Sequence, residues 1–272
     1  MTLSRGARWL LRVTMAVGLA VIYVPLSIVL INSFNADRTF AWPPPGWTTR
    51  WWTSAWANDG ARAALWTSVK AGLSATVIAL VLGTMVAFAV ARYRFFGRNS
   101  LSLLVVLPIA LPGIVTGIAL DTAFRSVIEP LGIGKGLFSI VIGHATFCVV
   151  VVYNNVLARL RRLGGNLEEA SSDLGADTFQ TFRLVTFPLL RSALFAGALL
   201  AFALSFDEIV VTTFTAGPGV QTLPIWIFSN LFRPNQAPVI NVVASVLIVA
   251  SVVPVWLAQR MGGGGQSAGG RL

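Results

Sequence analysis

Residues 166–188 read NLEEASSDLGADTFQTFRLVTFP and separate two long apolar segments of the chain. Those segments, residues 137–157 and 193–214, are each long enough for a helix across a bilayer core, which takes about 20 apolar residues. The connection between them, residues 159–191, carries five arginines against four acidic residues and is not of low complexity. This stretch predicts a membrane protein with a folded loop between two of its spans.

Two helix starts are encoded within the loop. Asn166 is followed three residues later by Glu169, and Asp177 by Gln180, which is the spacing of a capping box. Gly175, between the two pairs, is the residue type that often ends a helix. We therefore expect two short helices that are joined at this glycine.

The two predicted helices each present one small or apolar face. Phe179 and Phe182 lie on one face of the second helix. The face of the first helix comprises Leu167, Ala170, Ser171 and Leu174. A short rigid helix of this kind suits docking into a groove of a soluble partner. A solvated hairpin at the membrane surface fits the same residues equally well, and the residue types alone do not decide between the two.

Composition extends the membrane assignment to the whole chain. Hydrophobic residues make up 56% of the chain and charged residues 11%, against about 25% charged residues in a soluble domain. Six segments are apolar and long enough to span a bilayer: residues 9–31, 66–91, 101–124, 137–157, 193–214 and 239–257. We therefore expect an all-α integral membrane protein with six transmembrane helices. The first segment exceeds the length of a signal-peptide core, so we expect it to be a retained anchor.

The arginines predict the orientation of these spans. They cluster at four places that fall on one side of a six-span protein: Arg5, Arg8 and Arg12; Arg92, Arg94 and Arg98; Arg159, Arg161 and Arg162; and Arg260. Positive residues mark the cytoplasmic side, so both termini and the loop 159–191 are predicted to be cytoplasmic. The other side receives prolines 43–45 and a tryptophan cluster at residues 47–56, which suits an interfacial belt or a short amphipathic helix.

Several other kinds of function are disfavoured by the residue pattern. The net charge of +10 comes without the basic stripe interleaved with aromatics that nucleic-acid binding requires. His144 and Cys148 have no acidic, His or Cys neighbours at ligand spacing, so no metal site and no nucleophile–base pair is expected. Pro108, Pro112, Gly113 and Gly117 in the third segment indicate either close helix packing or a bend where a pathway opens.

The loop resembles the EAA loop of the permease subunits of ABC importers. That pattern is E-A-A, three residues, G, nine residues, then I-x-L-P. The chain has Glu169-Ala170-Ser171, Gly175 and Val185-Thr186-Phe187-Pro188 at the same spacing, with conservative changes at Ser171, Val185 and Phe187. The resemblance implies that this loop couples the permease to an ATPase. The residues it assigns to coupling are Glu168, Glu169, Ala170, Ser171, Asp173, Leu174, Gly175, Ala176, Phe179 and Pro188.

The resemblance also implies a set of partners. The chain has no phosphate-binding loop of the G-x-x-x-x-G-K-[ST] type, so ATP and Mg²⁺ are expected on a separate ATPase chain, and this chain is expected to be neither an enzyme nor a cofactor-binding protein. The partners implied are a second permease in a heterodimer, two ATPase subunits and an extracytoplasmic solute-binding protein. The location implied is the bacterial cytoplasmic (inner) membrane.

A longer stretch narrows the resemblance to the second permease of spermidine/putrescine-type importers, a MetI-like type I permease. It includes AFALSFDE at 201–208, TTFTAG at 212–217, LPIW at 223–226 and NVV at 241–243. The implied organisation is a first helix with an outer loop (1–63), a permease domain (64–258) and a flexible Gly-rich tail (259–272). The implied cargo is a polyamine, with aminobutyrate-like solutes and aminophosphonates as alternatives. A secondary transporter is the second class of protein that fits the spans.

Three acidic residues are candidates for the translocation pathway. Asp207 and Glu208 lie in the fifth predicted span, and Asp121 lies near the outer end of the third. A charge in a membrane span costs about 2.5–3.5 kcal/mol on insertion scales, so these residues should face the bundle interior. They would either favour a cationic solute or serve structurally, as a helix cap or an ion-pair partner. Adjacent helical residues point about 100° apart, so Asp207 and Glu208 are not expected to face one lumen.

Overall fold

The computed structural model of the chain describes residues 4–262, and within that range the side chains of all residues except 254, 255 and 257–262. The described residues contain no β-strand, and their one isolated bridge joins Asn35 to Trp47. Residues 263–272, most of the predicted Gly-rich tail, lie outside the described range.

Helices account for most of the described chain. In chain order they are α1 (Arg5–Asn32), α2 (Arg50–Trp56), α3 (Asp59–Arg92), α4 (Arg98–Ala110), α5 (Gly113–Ala123), α6 (Leu137–Leu163), α7 (Asn166–Asp173), α8 (Thr178–Thr181), α9 (Phe187–Phe206), α10 (Val210–Thr215), α11 (Leu223–Asn230) and α12 (Ala237–Gly262). Two π-helical turns, Phe124–Ile128 and Phe182–Thr186, follow α5 and precede α9, and a 3-10 turn covers Glu129–Leu131. The predicted all-α class is confirmed.

The spans differ in continuity. Four helical segments of the described chain are each long and apolar enough to cross a membrane: Arg5–Asn32, Asp59–Arg92, Leu137–Leu163 and Thr178–Phe206. Helices α4 and α5 pass the same test only as a pair, and the apolar part of α12, Ala237–Val253, is shorter. The described helices therefore give four or five spans, and the count of six crossings stays a prediction.

The third predicted span is broken rather than continuous. Helices α4 and α5 are bent by 105° at Leu111 and Pro112. Leu111 is extended, with φ −81° and ψ 145°, because the proline ring that follows it disfavours the helical region for the preceding residue. Pro108 is accommodated inside α4. Of the two prolines that the sequence singles out, Pro112 is therefore the one at which the helix breaks.

One compact unit is formed by Ala63–Trp226, with α6 at its centre. Two faces of α6 are buried against α3 on one side and α9 on the other. The close approach of α3 requires Gly83, since a Cβ there would lie 2.9 Å from the carbonyl oxygen of Val149. The hydroxyl of Tyr153 on α6 lies 2.7 Å from that of Ser102, which ties α6 to α4.

The other unit comprises Met1–Arg62 and Ile227–Trp256. Its connection between α1 and α3 folds around Trp51, whose indole N–H donates to the carbonyl of Asn35 at 2.8 Å. The guanidinium of Arg50 lies 4.2 Å from the centre of that ring, and Arg38 lies over it at 5.4 Å. The short helix expected at the tryptophan cluster is α2, which buries Trp51 and Ala55. No residue of the apolar part of α1 is buried.

Candidate functional site

The first helix of the candidate coupling loop, α7, starts differently from the sequence prediction. Gly165 is its N-cap and Asn166 is already its first helical residue, so the Asn166–Glu169 capping box does not form. The chain leaves α6 through Gly164, which has φ +64°, and the carbonyl of Gly165 accepts the N–H groups of Glu168 and Glu169 at 3.0 Å. The predicted box was wrong because two glycines place the helix start one residue earlier.

The end of α7 confirms the predicted glycine turn. Gly175 has φ +85°, its N–H donates to the carbonyl of Ser172 at 2.9 Å, and the N–H of Ala176 donates to that of Ser171 at 3.1 Å. These two bonds form a Schellman motif, which satisfies carbonyls that the helix leaves free. A side chain at residue 175 would be strained in this conformation.

The second helix of the loop, α8, begins at the predicted capping box. The N–H of Gln180 donates to Asp177 Oδ1 at 2.8 Å, and the N–H of Asp177 donates to Gln180 Oε1 at 3.1 Å. A hydroxyl pair, Ser171 and Thr181 at 3.0 Å, joins α8 to α7. The two short helices are therefore connected to each other as well as capped.

Several apolar side chains of the loop are exposed on its surface. Leu174 is 89% exposed, Phe179 69% and Leu167 51%. Glu169, Ala170, Asp173, Asp177 and Pro188 are exposed as well, whereas Ser171 and Ala176 are half-buried. An apolar surface with an acidic rim, on a capped helix pair, has the composition of a protein docking site.

The two neighbouring glutamates of α7 point in different directions. Glu169 is exposed, but the carboxylate of Glu168 turns toward the helix bundle. Glu168 Oε2 lies 2.8 Å from Arg92 Nε, and its Oε1 accepts bonds from Arg92 Nη2 at 3.2 Å and Thr186 Oγ1 at 2.9 Å. The sequence grouped Glu168 with the docking residues and gave no sign of its partner Arg92, which is 76 positions away.

The fifth predicted span is also interrupted, at the pair of acidic candidates. Helix α9 ends at Phe206 and α10 begins at Val210, so Asp207 and Glu208 lie in the break. Glu208 is half-buried, and its Oε1 accepts the N–H of Val211 at 2.8 Å, which makes it a cap of α10. Asp207 is exposed, and no side-chain partner of Asp207 is present among the described residues.

The break brings the two carboxylates to one hollow. Asp207 and Glu208 both line a cavity of about 310 Å³ with Leu200, Ala203 and Leu204. The 100° rotation between neighbours applies within a helix, and α9 has ended before Asp207, so both side chains can border this hollow. That the two do not face one lumen stays a prediction. The arrangement offers negative charge at a discontinuous helix, where membrane transporters place solute and ion sites.

Asp121 is held by two basic side chains. It forms ion pairs with Lys135 and with Arg125, whose Nε lies 2.9 Å from Asp121 Oδ2. These three residues and Glu129 line a cavity of about 650 Å³. The charge of Asp121 is therefore compensated, unlike that of Asp207, and the pairing matches the structural alternative that the sequence left open.

His144 contacts the helices on both sides of the break, which the sequence did not reveal. This fully buried residue of α6 lies 2.7 Å from the hydroxyl of Ser205 through Nδ1 and 2.8 Å from that of Thr212 through Nε2. Ser205 is near the end of α9 and Thr212 is on α10, so one ring links both sides of the discontinuity. A polar residue inside an apolar helix was the available signal, but its partners are 61 and 68 residues away.

Two glycines allow α10 to approach its neighbours. A Cβ at Gly117 of α5 would overlap the ring of Phe214, and a Cβ at Gly143 of α6 would lie 3.1 Å from Thr215 Cγ2. A Cβ at Gly113 would lie 3.5 Å from Val210 of α10, which is ordinary contact. Close packing thus accounts for Gly117, while the bend, which was the other interpretation of the sequence, occurs at Pro112.

Residues 79–262 match the family model for the binding-protein-dependent transport system inner membrane component. The matched region is more than half of the chain and contains the candidate coupling loop and the break between α9 and α10. The chain belongs to this family.

Relatives of this permease agree with the assignment. It is 34% identical over 242 residues, 88% of this chain and 85% of the other, to the putrescine transport system permease protein PotI of Escherichia coli. It is 35% identical over 240 residues, 88% and 89% of the two chains, to the spermidine/putrescine transport system permease protein PotC of the same species.

The fold has a counterpart among solved structures. A bacterial ABC transporter involved in the import of the acidic polysaccharide alginate contains a chain that superposes with a TM-score of 0.72 at 15% identity, over 96% of this permease and 99% of that chain. The permease is thus an inner-membrane transport subunit, not an enzyme, and its family works with a solute-binding protein and an ATPase. The described residues hold no group of three or more His, Cys, Asp or Glu side chains placed to bind a metal ion.

Proposed function

We propose that this permease is one half of the translocation pathway of an ATP-driven importer, and that its α7–α8 loop docks on an ATPase subunit. The observation that carries the proposal is the exposed surface of the loop, where Leu174 and Phe179 stand out from a pair of capped helices. A solvated hairpin has no need of exposed leucine and phenylalanine, whereas a docking helix uses them as anchors.

The full assembly proposed has two permeases, two ATPase subunits and one extracytoplasmic binding protein. ATP and Mg²⁺ bind to the ATPase subunits, since this chain lacks a phosphate-binding loop. The second permease is a different chain in this proposal, so the pathway is formed by a heterodimer. The loop and both termini lie on the cytoplasmic side, in accordance with the arginine distribution.

The cargo proposed is a polyamine such as putrescine or spermidine. Two relatives that cover most of the chain are named for these solutes. The fold itself does not select the cargo, because a structural neighbour belongs to an importer of an acidic polysaccharide. Asp207 and Glu208 at the break supply negative charge that attracts a polycation. Aminobutyrate-like solutes and aminophosphonates are the alternatives.

Two variants of the loop test the coupling role. In the complete importer reconstituted in proteoliposomes with its binding protein and labelled putrescine, Glu169→Lys reverses an exposed charge, and Gly175→Trp places a side chain at φ +85°. We expect both to lower ATP-dependent uptake at least tenfold, with normal amounts of the permease in the membrane. Full uptake by both variants, or uptake driven by an ion gradient without ATP, would contradict the proposal.

A binding panel tests the cargo separately. The cognate binding protein is titrated with putrescine, spermidine, 4-aminobutyrate and 2-aminoethylphosphonate. Tightest binding of a polyamine is expected. Preference for either of the other two compounds would replace the polyamine by that solute without affecting the coupling role.

A further inference from the structure

The strongest feature outside the docking surface is a polar cluster formed by Arg92, Glu168 and Thr186, here called the latch. Arg92 is the last residue of α3, Glu168 lies in the first turn of α7, and Thr186 directly precedes α9. One carboxylate therefore joins three helices, two of which belong to the membrane bundle. The cluster is sheltered, since the Arg92 and Glu168 side chains are 20% and 25% exposed and Thr186 is 3% exposed.

The hydrogen bonds of the latch fix the orientation of α7 relative to α3. Both carboxylate oxygens of Glu168 face the guanidinium of Arg92, at 2.8 Å and 3.2 Å, and one of them also accepts the hydroxyl of Thr186 at 2.9 Å. Among the described residues, Arg92 Nε has no hydrogen bond despite its 2.8 Å distance to Oε2, so orientation is fixed by the two bonds that Oε1 accepts, one from Arg92 Nη2 and one from Thr186. A single long-range charge attraction would let α7 rotate against α3.

A second contact joins the same elements one helical turn along α3. The ring of Phe88 packs edge-on against that of Phe182, with centroids 5.9 Å apart, and Phe182 contacts Phe187 at 6.1 Å. Residues 88 and 92 are four positions apart, so both lie on one side of α3. Two attachment points prevent the end of α3 from pivoting independently of the loop.

We propose that Arg92 and Glu168 pass the movement of the docked loop to α3, so that α3 and α9 move together in each transport cycle. Arg92 and Glu168 act as positioning residues: Glu169 and the exposed apolar side chains face the ATPase, while Glu168 faces the bundle. The latch has this role only if the loop docks on the ATPase, so the proposal rests on the function proposed above.

The test compares ATP hydrolysis with solute uptake in the complete reconstituted importer. Arg92→Gln and Glu168→Gln remove one charge each and keep the side-chain length. We expect ATP hydrolysis to remain above half of its original rate, while ATP-dependent putrescine uptake falls about five- to tenfold, within the usual range of coupling between sites. The double variant should be no worse than either single variant, because each change already breaks the same contact.

The matched control is Arg94→Gln, since Arg94 is exposed two residues further on and has no ion pair among the described residues. Its uptake should be unchanged. If the latch only stabilises the assembly, its variants would lower hydrolysis and uptake in proportion to the amount of assembled importer, and that result would overturn the proposal. Additive losses of uptake in the double variant would overturn it as well. If Glu169→Lys and Gly175→Trp both keep full uptake, the docking role fails instead, which separates the two outcomes.

Discussion

The two acidic residues at the break between α9 and α10 have different surroundings. Asp207 is exposed in the hollow, with no side-chain partner in the described part of the chain, whereas Glu208 accepts the N–H of Val211. Neighbouring carboxylates of the same charge thus have different contacts. The difference comes from the local backbone, because only Glu208 is placed to cap α10.

Replacing Asp207 should affect transport more than stability. Asp207→Asn removes a charge without changing size, so we expect uptake of labelled putrescine to fall several-fold while the amount of assembled importer stays constant. Glu208→Gln is the comparison: the weaker cap should cost about 1 kcal/mol and lower the melting midpoint by a few degrees. Equal losses of uptake and assembly in Asp207→Asn would assign that residue to structure.

The contacts of individual residues were harder to predict from sequence than the helices were. The local contacts of Asp177 with Gln180 and of Gly175 with Ser172 were accessible, since they depend on spacings of three residues. The contacts of Glu168 with Arg92 and of His144 with Ser205 and Thr212 span 61 to 76 positions. The periodicity of apolar residues along the chain carries no information about such distant pairs, so only the folded structure reveals them.

At the scale of helices, two of the predicted membrane spans are interrupted by breaks. The sequence located residues 101–124 and 193–214 as single apolar segments, and it left a bend in the first and a helix cap in the second open as alternatives. The structure breaks both. The break at Pro112 follows from a residue type that was already noted. The break after Phe206 has no proline or glycine to announce it, and it is held by the Glu208 cap and the bonds of His144 to α9 and α10.

The contact between α5 and α10 gives a prediction at this scale. Gly117→Leu would force its side chain into the ring of Phe214, and overpacking of this kind costs about 1–3 kcal/mol. We expect a lower melting midpoint of the detergent-solubilised permease and weaker assembly. Gly18→Leu in α1 is the matched control, since a Cβ there has nothing within 4 Å. An unchanged midpoint in Gly117→Leu would mean that α5 and α10 are not held in this contact.

For the whole molecule, orientation in the membrane is the property that decides which partners meet which surface. The arginine clusters predict this orientation. Cys148, the single cysteine of the chain, is buried, so a thiol reagent should label an introduced cysteine with little labelling of Cys148. Trp47→Cys marks the predicted outer side, since Trp47 is 67% exposed, and Arg94→Cys marks the predicted inner side.

A membrane-impermeant maleimide applied to right-side-out vesicles should label Trp47→Cys and spare Arg94→Cys, and inside-out vesicles should give the reverse. An even number of crossings between the termini is tested in the same way with cysteines at Gly6, which precedes the apolar part of α1, and at Gln266. Labelling of Trp47→Cys and Arg94→Cys from the same side would reject the proposed topology.

The capped loop also has an energetic consequence for the transport cycle. The end of α7 is closed by its Schellman bonds and the start of α8 by the Asp177–Gln180 capping box, all of them within the loop itself. Docking therefore requires little loss of conformational entropy, which is the main penalty when a floppy segment binds. In the proposed docking, the ATPase would meet a loop that needs no refolding at each turnover, so free energy from nucleotide hydrolysis would be available for displacing helices in the bilayer.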